Sequence, residues 1–224
     1  MIKKFNRIDG VCVEKIYGQD RFGYSRSDFD DLYDLIKWAE QGGYQGSELK
    51  FYDFYTGDVY KPFDKKRNVA YGEPVYVESY LYFLQGDYGK NIVTLYRYLP
   101  EKVLETVVEF KIEEVNLYNL KIIGNPLFII SQDNEDGFRC YYPKKFSFPL
   151  QEQESVILIE DEKIYLEKWV EEGWDDENDC ATDTYQYYNL WKCYRIIIKD
   201  FAGNTISEEI GCLNQSENGD WWIS

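Results

Sequence analysis

The chain has 224 residues, of which 44% are hydrophobic, and this is enough for one large or two small domains with an apolar core. It carries a formal net charge of −16 at pH 7 and contains no histidine, which excludes Ser–His–Asp and Cys–His catalysis and metal binding by imidazole. No apolar run follows the lysines near its start, and no stretch of about 18 apolar residues occurs. We therefore expect a soluble, cytoplasmic protein without a secretion signal or a membrane span.

The five cysteines form no Cys-x-x-Cys pair, and one of them would stay unmatched in any full pairing. This pattern argues against a structural zinc site and against a disulfide framework, and it fits a reducing compartment. A phosphate-binding loop is also not expected, because GDYGK at 86–90 lacks the spacer and the Ser or Thr that would hold magnesium. The sequence thus predicts no metal and no cofactor.

The first predicted element is a helix over residues 28–41, within an N-terminal segment of residues 1–46. Its apolar residues recur at helical spacing and form one stripe: Phe29, Leu32, Leu35, Ile36 and Ala39. Ser27 is placed to cap the first turn, and a pair of glycines at 42–43 follows the last turn. We expect this helix to dock on a β core.

Beyond the helix, residues 47–224 change to aromatic and β-branched strands joined by tight turns. Four hairpin turns are centred on dipeptides: Thr56–Gly57, Pro100–Glu101, Pro143–Lys144 and Ala202–Gly203. Counted at the second residue of each dipeptide, the turns are spaced by 44, 43 and 59 residues. A period in the forties made of short strands predicts repeated four-stranded sheets. A further hairpin is predicted over residues 155–170, and the terminal WWIS segment is predicted as a strand.

Two Gly-x-Pro segments, GEPVY at 72–76 and GNPLF at 124–128, support a repeat, and Asp53 to Gly57 forms an Asp-x-x-x-Gly turn. In these features residues 47–224 resemble β-propeller repeat proteins. The resemblance implies a mainly β fold, an irregular small β-propeller-like array of antiparallel hairpins. It also implies that the terminal WWIS strand pairs near residues 47–63 and completes the first repeat. A β sandwich or an open meander remains the alternative fold.

The longest turn spacing predicts an acidic insertion over residues 171–186. Residues 151–224 hold 18 acidic residues against 5 basic ones, whereas residues 1–150 hold 23 against 20. Such a field repels nucleic acid and anionic membranes and attracts a basic protein partner. The candidate partner-binding residues are Trp174, Asp175, Asp176, Glu177, Asp179 and Asp183. The first functional hypothesis is therefore a protein-interaction module, of the inhibitor or immunity type, that binds a basic protein.

A second hypothesis is carbohydrate binding or cleavage, which uses aromatic surfaces and a carboxylate pair and needs no histidine. Residues 75–83 alternate like one strand in which Tyr76, Glu78 and Tyr80 share a face, and these are the candidate sugar-binding residues. A third hypothesis is an irregular calcium site in the acidic insertion, although Cys180 stands where an EF-hand loop requires glycine. A binding protein is favoured over an enzyme.

Overall fold

A computed structural model describes residues 2–27, 31–133, 135–170, 173–175, 177–178, 180–182 and 194–224. Small antiparallel sheets form a ring of four, arranged like the blades of a propeller, and the predicted mainly β fold class is confirmed. Helical structure in these ranges is limited to α1 (Leu35–Glu40) and a 3-10 turn at Ile112–Glu114. Neither segment is long and apolar enough to cross a membrane.

Each of the four large sheets is called a blade and is numbered in chain order. Blade 1 contains β1 (Glu14–Lys15), β2 (Phe22–Arg26), β3 (Leu49–Asp53) and β4 (Val59–Tyr60). Blade 2 contains β5 (Val69–Tyr71), β6 (Val75–Val77), β7 (Tyr80–Asp87), β8 (Ile92–Leu99) and β9 (Val103–Lys111). Blade 3 contains β10 (Lys121–Ile123), β11 (Phe128–Asp133), β12 (Gly137–Tyr142) and β13 (Phe146–Phe148).

Blade 4 is interrupted by a separate two-stranded hairpin. Its first strands are β14 (Glu154–Glu160) and β15 (Lys163–Trp169). The separate hairpin follows as β16 (Trp174–Asp175) and β17 (Cys180–Ala181), after which blade 4 continues with β18 (Tyr194–Lys199) and β19 (Thr205–Ile210). A C-terminal hairpin then consists of β20 (Leu213–Gln215) and β21 (Trp221–Ile223).

The five hairpins predicted from turn residues are all present. Four of them form the last two strands of a blade, as β3–β4, β8–β9, β12–β13 and β18–β19, and the fifth is β14–β15. Neighbouring strands in each blade are antiparallel, and with β6 aside their spatial order follows the chain order. Each blade is therefore a simple meander, which short local turns can specify.

The turn after β3 shows how one of these hairpins is fixed. The Asp53 carbonyl oxygen accepts the Gly57 N–H at 2.8 Å, and Asp53 Oδ1 accepts the Tyr55 N–H at 2.9 Å. Asp53 Oδ2 accepts a hydrogen bond from Arg21 Nη2 at 2.6 Å. Burial acts to raise the pKa of Asp53, but the bonds from Arg21 and from backbone N–H groups outweigh it, so the pKa is lowered. The carboxylate thus stays ionised and holds the turn.

Apolar residues on facing blades pack into three layers that hold the ring together. The layer between blades 1 and 2 contains Phe51 and Phe83, whose ring centroids are 5.9 Å apart. The layer between blades 2 and 3 contains Leu84 and Ile129, and the layer between blades 3 and 4 is built around Phe138. Full burial of side chains of this size contributes about 1.5–3 kcal/mol each, so these layers are the main source of stability.

Blades 4 and 1 are joined by other means. In the described part of the chain no buried apolar cluster spans these two blades, and the C-terminal hairpin lies between them. The Leu213 N–H donates to a carboxylate oxygen of Glu167 in blade 4, and the Gly18 N–H, beyond β1, donates to the Glu217 carbonyl at 3.2 Å. Lys15 also forms an ion pair with Glu217. Polar contacts of the hairpin therefore close the ring.

The terminal strand β21 pairs with β20 and not with residues 47–63, so the pairing implied by the propeller resemblance is wrong. Gln215 lies opposite Trp221, and the Ser216 N–H donates to the Asp220 carbonyl at 2.9 Å to close the turn. A hairpin between strands so near in sequence costs less loop-closure entropy than a pairing with the distant first blade.

The helix predicted for residues 28–41 is shorter than expected, since α1 begins at Leu35 and residues 31–34 are not helical. Residues 28–30 lie outside the described ranges. Ser27 does not cap the helix, because its N–H donates to the Glu48 carbonyl at 3.0 Å and its Oγ accepts the Glu48 N–H at 2.8 Å. Ser27, which was expected to start the helix, is therefore bonded to the residue that precedes β3.

The N-terminal segment contributes strands as well as the helix. Strand β2 pairs with β3 from Phe22 opposite Asp53 to Arg26 opposite Leu49, so blade 1 crosses the predicted boundary between residues 46 and 47. Leu35, on α1, is buried in the layer between blades 2 and 3.

The acidic insertion lies between two strands that pair directly, because Trp169 of β15 is opposite Tyr194 of β18. Within the insertion, β16 and β17 form their own hairpin, with Trp174 opposite Ala181. The longest turn spacing therefore arises from residues added between neighbouring strands of blade 4.

A buried ion pair in blade 4 gives a first prediction. Lys199 Nζ lies 2.6 Å from Glu154 Oε2, and the two side chains are 4% and 1% exposed. We expect Lys199→Met to lower the free energy of unfolding by about 3–5 kcal/mol, because it leaves the Glu154 carboxylate buried without a counter-charge. Urea denaturation measures the loss. The exposed Lys163 provides the control, and Lys163→Met should change the value by less than about 0.5 kcal/mol; equal losses would contradict the prediction.

Ring closure gives a second prediction. Gly219 has φ +96°, and a Cβ added there would lie 2.9 Å from the Gly18 Cα. We expect Gly219→Ala to destabilise the protein by about 1–3 kcal/mol, because it adds backbone strain and separates the hairpin from blade 1. Gly124→Ala is the control, since a Cβ at Gly124 meets no atom within 4 Å. Thermal unfolding compares the two variants, and unchanged melting of Gly219→Ala would show that this contact does not close the ring.

Candidate functional site

A cavity of about 1280 Å³ lies at the centre of the ring and is called the central cavity. Strands of every blade line it, namely β1 together with Tyr24 of β2, β6, β10 and β14, and the C-terminal hairpin completes the wall. These strands meet here because the blades pack against each other face to face. Ligand sites are often concave spaces of this kind, enclosed by a rigid scaffold.

The wall of the central cavity is acidic. Five carboxylates line it, and they come from three blades and the C-terminal hairpin: Glu14, Glu73, Glu78, Glu160 and Asp220. Two lysines also line it, Lys15 and Lys121, and Lys15 is already paired with Glu217. The excess of carboxylates gives the cavity a negative potential, which disfavours anionic ligands.

Aromatic and carboxamide groups share the wall with these charges. The aromatic residues are Tyr17, Tyr24, Tyr76, Trp221 and Trp222, and the carboxamides are Asn125, Gln215 and Asn218. Trp222 is 64% exposed, so its ring offers apolar surface to a ligand. The cavity therefore combines flat apolar surfaces with hydrogen-bond donors and acceptors.

Glu14 and Tyr24 illustrate how the wall is held in place. Tyr24 Oη donates to Glu14 Oε2 at 2.8 Å, across the pairing of β1 with β2. Burial and this hydrogen bond raise the pKa of Tyr24 far above its ordinary value. The hydroxyl stays protonated and keeps donating, so the Glu14 carboxylate keeps a fixed position on the cavity wall.

Glu78 reaches the cavity through a turn that sequence reasoning did not predict. Residues 75–83 do not form one strand, because β6 ends at Val77 and β7 begins at Tyr80, with Val77 opposite Tyr80. The two residues between them, Glu78 and Ser79, have φ +48° and +72°. This conformation is usual for Asn-Gly and costs other residues about 1–2 kcal/mol each. The expected alternation of Glu78 within a strand is therefore wrong.

Two of the three candidate sugar-binding residues line the central cavity. Tyr76 and Glu78 are on its wall, whereas Tyr80 is not, and the guanidinium of Arg97 lies 4.6 Å from the centroid of the Tyr80 ring. Sequence reasoning missed Lys121 and Glu73. The two Gly-x-Pro segments were a usable signal, because Glu73 and Asn125 occupy the variable position in each and both line the cavity.

The candidate partner-binding residues of the acidic insertion are described only in part. Asp175 Oδ1 accepts the N–H groups of Glu177 and Asn178 at 3.0 and 3.2 Å, and Oδ2 accepts the Asn178 side chain at 2.8 Å. The hydrogen bonds from Asn178 lower the pKa of Asp175 more than any other interaction does. Glu177 is exposed, and the Trp174 backbone pairs in β16. The other three candidates, Asp176, Asp179 and Asp183, lie outside the described residues.

The calcium hypothesis finds no support in the residues that the structure describes. No group of three His, Cys, Asp or Glu side chains among them is arranged to hold a metal ion. Asp179, an acid of the insertion, lies outside these ranges. The acidic turn between β11 and β12 is a hairpin turn, in which Asp133 Oδ1 accepts the Glu135 N–H at 2.9 Å.

A second acidic surface is the edge of blade 4. All six residues of β19 are exposed, and among the described residues the strand has a partner on one side only. Ile206 and Ile210 are 54% and 57% exposed and lie beside Glu208 and Glu209. Glu208 is 3.7 Å from Arg195 on the neighbouring strand. An edge that carries apolar and acidic side chains together can contact a basic, partly apolar surface.

The chain matches no protein-family model, and no curated protein and no solved structure matches it. The central cavity and the acidic surfaces of blade 4 are therefore interpreted from their own residues.

Proposed function

We propose that the protein is a binding module that holds an uncharged, polyhydroxylated ligand of the carbohydrate class in its central cavity. The observation that carries the proposal is the composition of the wall, where carboxylates, carboxamides and aromatic rings from separate blades line one cavity. Carboxylates and carboxamides form directional hydrogen bonds with hydroxyl groups, and aromatic rings cover the apolar faces of a sugar ring. The negative wall favours neutral over anionic ligands.

The size of the cavity supports an oligosaccharide over a single sugar. Its volume of about 1280 Å³ exceeds the upper end of the range of roughly 300–1,000 Å³ that is usual for small-molecule sites. Tyr76 and Glu78, which lie close together on the wall, are placed to contact one unit of such a ligand. The strained turn at Glu78 also fits a binding role, because local backbone strain concentrates at functional sites.

Thermal unfolding with a panel of neutral mono- and oligosaccharides tests the proposal. A ligand present at about 100 times its Kd should stabilise the protein by about 2.7 kcal/mol, which corresponds to a rise in Tm of about 5–10 °C. Titration calorimetry should then show affinity reduced about tenfold or more by Glu78→Gln, because a hydrogen bond to a charged group is lost. Glu177→Gln, a change of an exposed acid in the insertion, should bind like the wild type. No stabilisation by any sugar would remove the proposal.

A second candidate function is capture of a basic protein through the acidic surfaces of blade 4. The observation that favours it is the fully exposed edge strand β19, with Glu208 and Glu209 between Ile206 and Ile210. It belongs to the stretch of residues 151–224 that holds 18 acidic residues against 5 basic ones. Long-range attraction from such a surface speeds encounter with a basic partner.

To test this candidate, proteins that bind the chain are recovered from host lysate and purified, and their binding is measured. Binding should weaken as salt is raised, because exposed charges are screened. A variant with Glu208→Gln and Glu209→Gln should bind more weakly than the wild type, and a variant with Asp175→Asn and Glu177→Gln shows whether the insertion contributes. Both variants should bind sugars normally, which separates the two functions. Affinity that is independent of salt would exclude capture by charge.

A further inference from the structure

Lys121 differs from the two most buried lysines of the described chain. Lys50 pairs with Asp9 at 2.7 Å, and Lys199 pairs with Glu154 at 2.6 Å. Lysine is rarely buried unless it is paired in this way, because removal of an ammonium group from water is costly. The ion pairs therefore explain why Lys50 and Lys199 are buried.

Lys121 has no such partner. Its Nζ donates to the Val156 carbonyl at 3.3 Å, and no carboxylate oxygen in the described part of the chain lies within the 4.0 Å of an ion pair. The side chain lines the central cavity at the start of β10. One weak contact to a backbone carbonyl leaves the amine group available to a ligand in the cavity.

The charged groups around the cavity decide what this amine can bind. They are Glu14 and Lys15 on β1, Glu73 and Glu78 beside β6, Glu160 at the end of β14 and Asp220 in the C-terminal hairpin. Burial lowers the pKa of Lys121, and Glu73, which acts to raise it, does not compensate. A larger share of the group is therefore the neutral amine at neutral pH than for an exposed lysine.

An anionic ligand would pair with the ammonium form, but the five carboxylates of the same wall oppose its entry. An uncharged carbonyl compound meets no such barrier. It can react with the neutral amine, since a lysine that is desolvated by burial is suited to attack carbonyl carbon. The positive charge of the product would then be stabilised by the carboxylates that repel anions.

We propose that Lys121 is the nucleophile of an imine-forming site that takes an uncharged aldehyde or ketone in the central cavity. The Nζ lone pair forms a bond to the carbonyl carbon as the carbon–oxygen π bond breaks. One proton from the amine and one from solvent pass to the oxygen, and the remaining carbon–oxygen bond breaks as water leaves. The nitrogen keeps one proton and forms a double bond to carbon, which gives an iminium ion, and no oxidant or reductant takes part. The step does not depend on the ligand being a sugar.

Reductive trapping with benzaldehyde and cyanoborohydride tests this inference on the full chain. Mass spectrometry should show one benzyl group added first at Lys121, ahead of exposed lysines such as Lys163, because burial gives Lys121 a larger share of neutral amine. The rate at Lys121 should level off at a lower pH than the rate at Lys163. 4-Carboxybenzaldehyde, which has the same ring and a negative charge, should label Lys121 more slowly than benzaldehyde does.

Two variants complete the experiment. Lys121→Met should remove the fast phase of labelling, and Lys163→Met should keep it. If Lys121→Met does not fold, the positions of the labelled lysines and the pH dependence of labelling in the wild-type protein still test the inference. Labelling spread over the lysines according to their exposure, or a pH profile at Lys121 equal to that at Lys163, would overturn the inference. Either result would leave the sugar-binding proposal unaffected, because that proposal is tested by Glu78→Gln.

Discussion

The architecture depends on the burial of both faces of the middle blades against their neighbours. In β7, Phe83 enters the layer shared with blade 1 and Leu84 the layer shared with blade 3. In β11, Ile129 and Ile130 divide in the same way between blades 2 and 4. This alternation is what a strand buried on both faces requires. Because the sheets twist as they stack, the strands β1, β6, β10 and β14 converge without filling the axis, and the central cavity is the space that remains.

Two departures from an ordinary stable fold lie beside that space. The residues at 78–79 adopt a turn that suits neither of them, and Lys121 lies in the wall without a carboxylate partner. The apolar layers, by contrast, contain side chains that are almost completely buried. A protein tolerates local strain and unpaired charge where the surrounding structure is strong enough to impose them, and such places are commonly sites of function. The apolar layers that stabilise the fold and the cavity proposed to bind a ligand are thus in different parts of the blades.

Local chemistry determined how much of this could be predicted from the sequence. The hairpins were predictable because residues such as Gly57 and Gly203 mark turns within a few residues of the strands they join. The start of the helix was not, because Ser27 bonds with Glu48, which is distant in sequence. The turn position of Glu78 could not be predicted, because Glu78 and Ser79 have positive φ values that such residues rarely adopt. The role of Lys121 requires knowledge of which strands meet at the axis, and no local pattern contains that information.

The placement of the acidic insertion has a consequence for how this fold can change. The chain leaves blade 4 after Trp169 and returns at Tyr194 directly opposite, so the ladder on either side is complete without the residues between them. Loop-closure entropy grows slowly with length, by about 0.6 kcal/mol for each doubling. The pairing of β15 with β18 therefore does not fix the number of residues between Trp169 and Tyr194. This crossing point is a place where the length of blade 4 can vary while the register of its strands is kept.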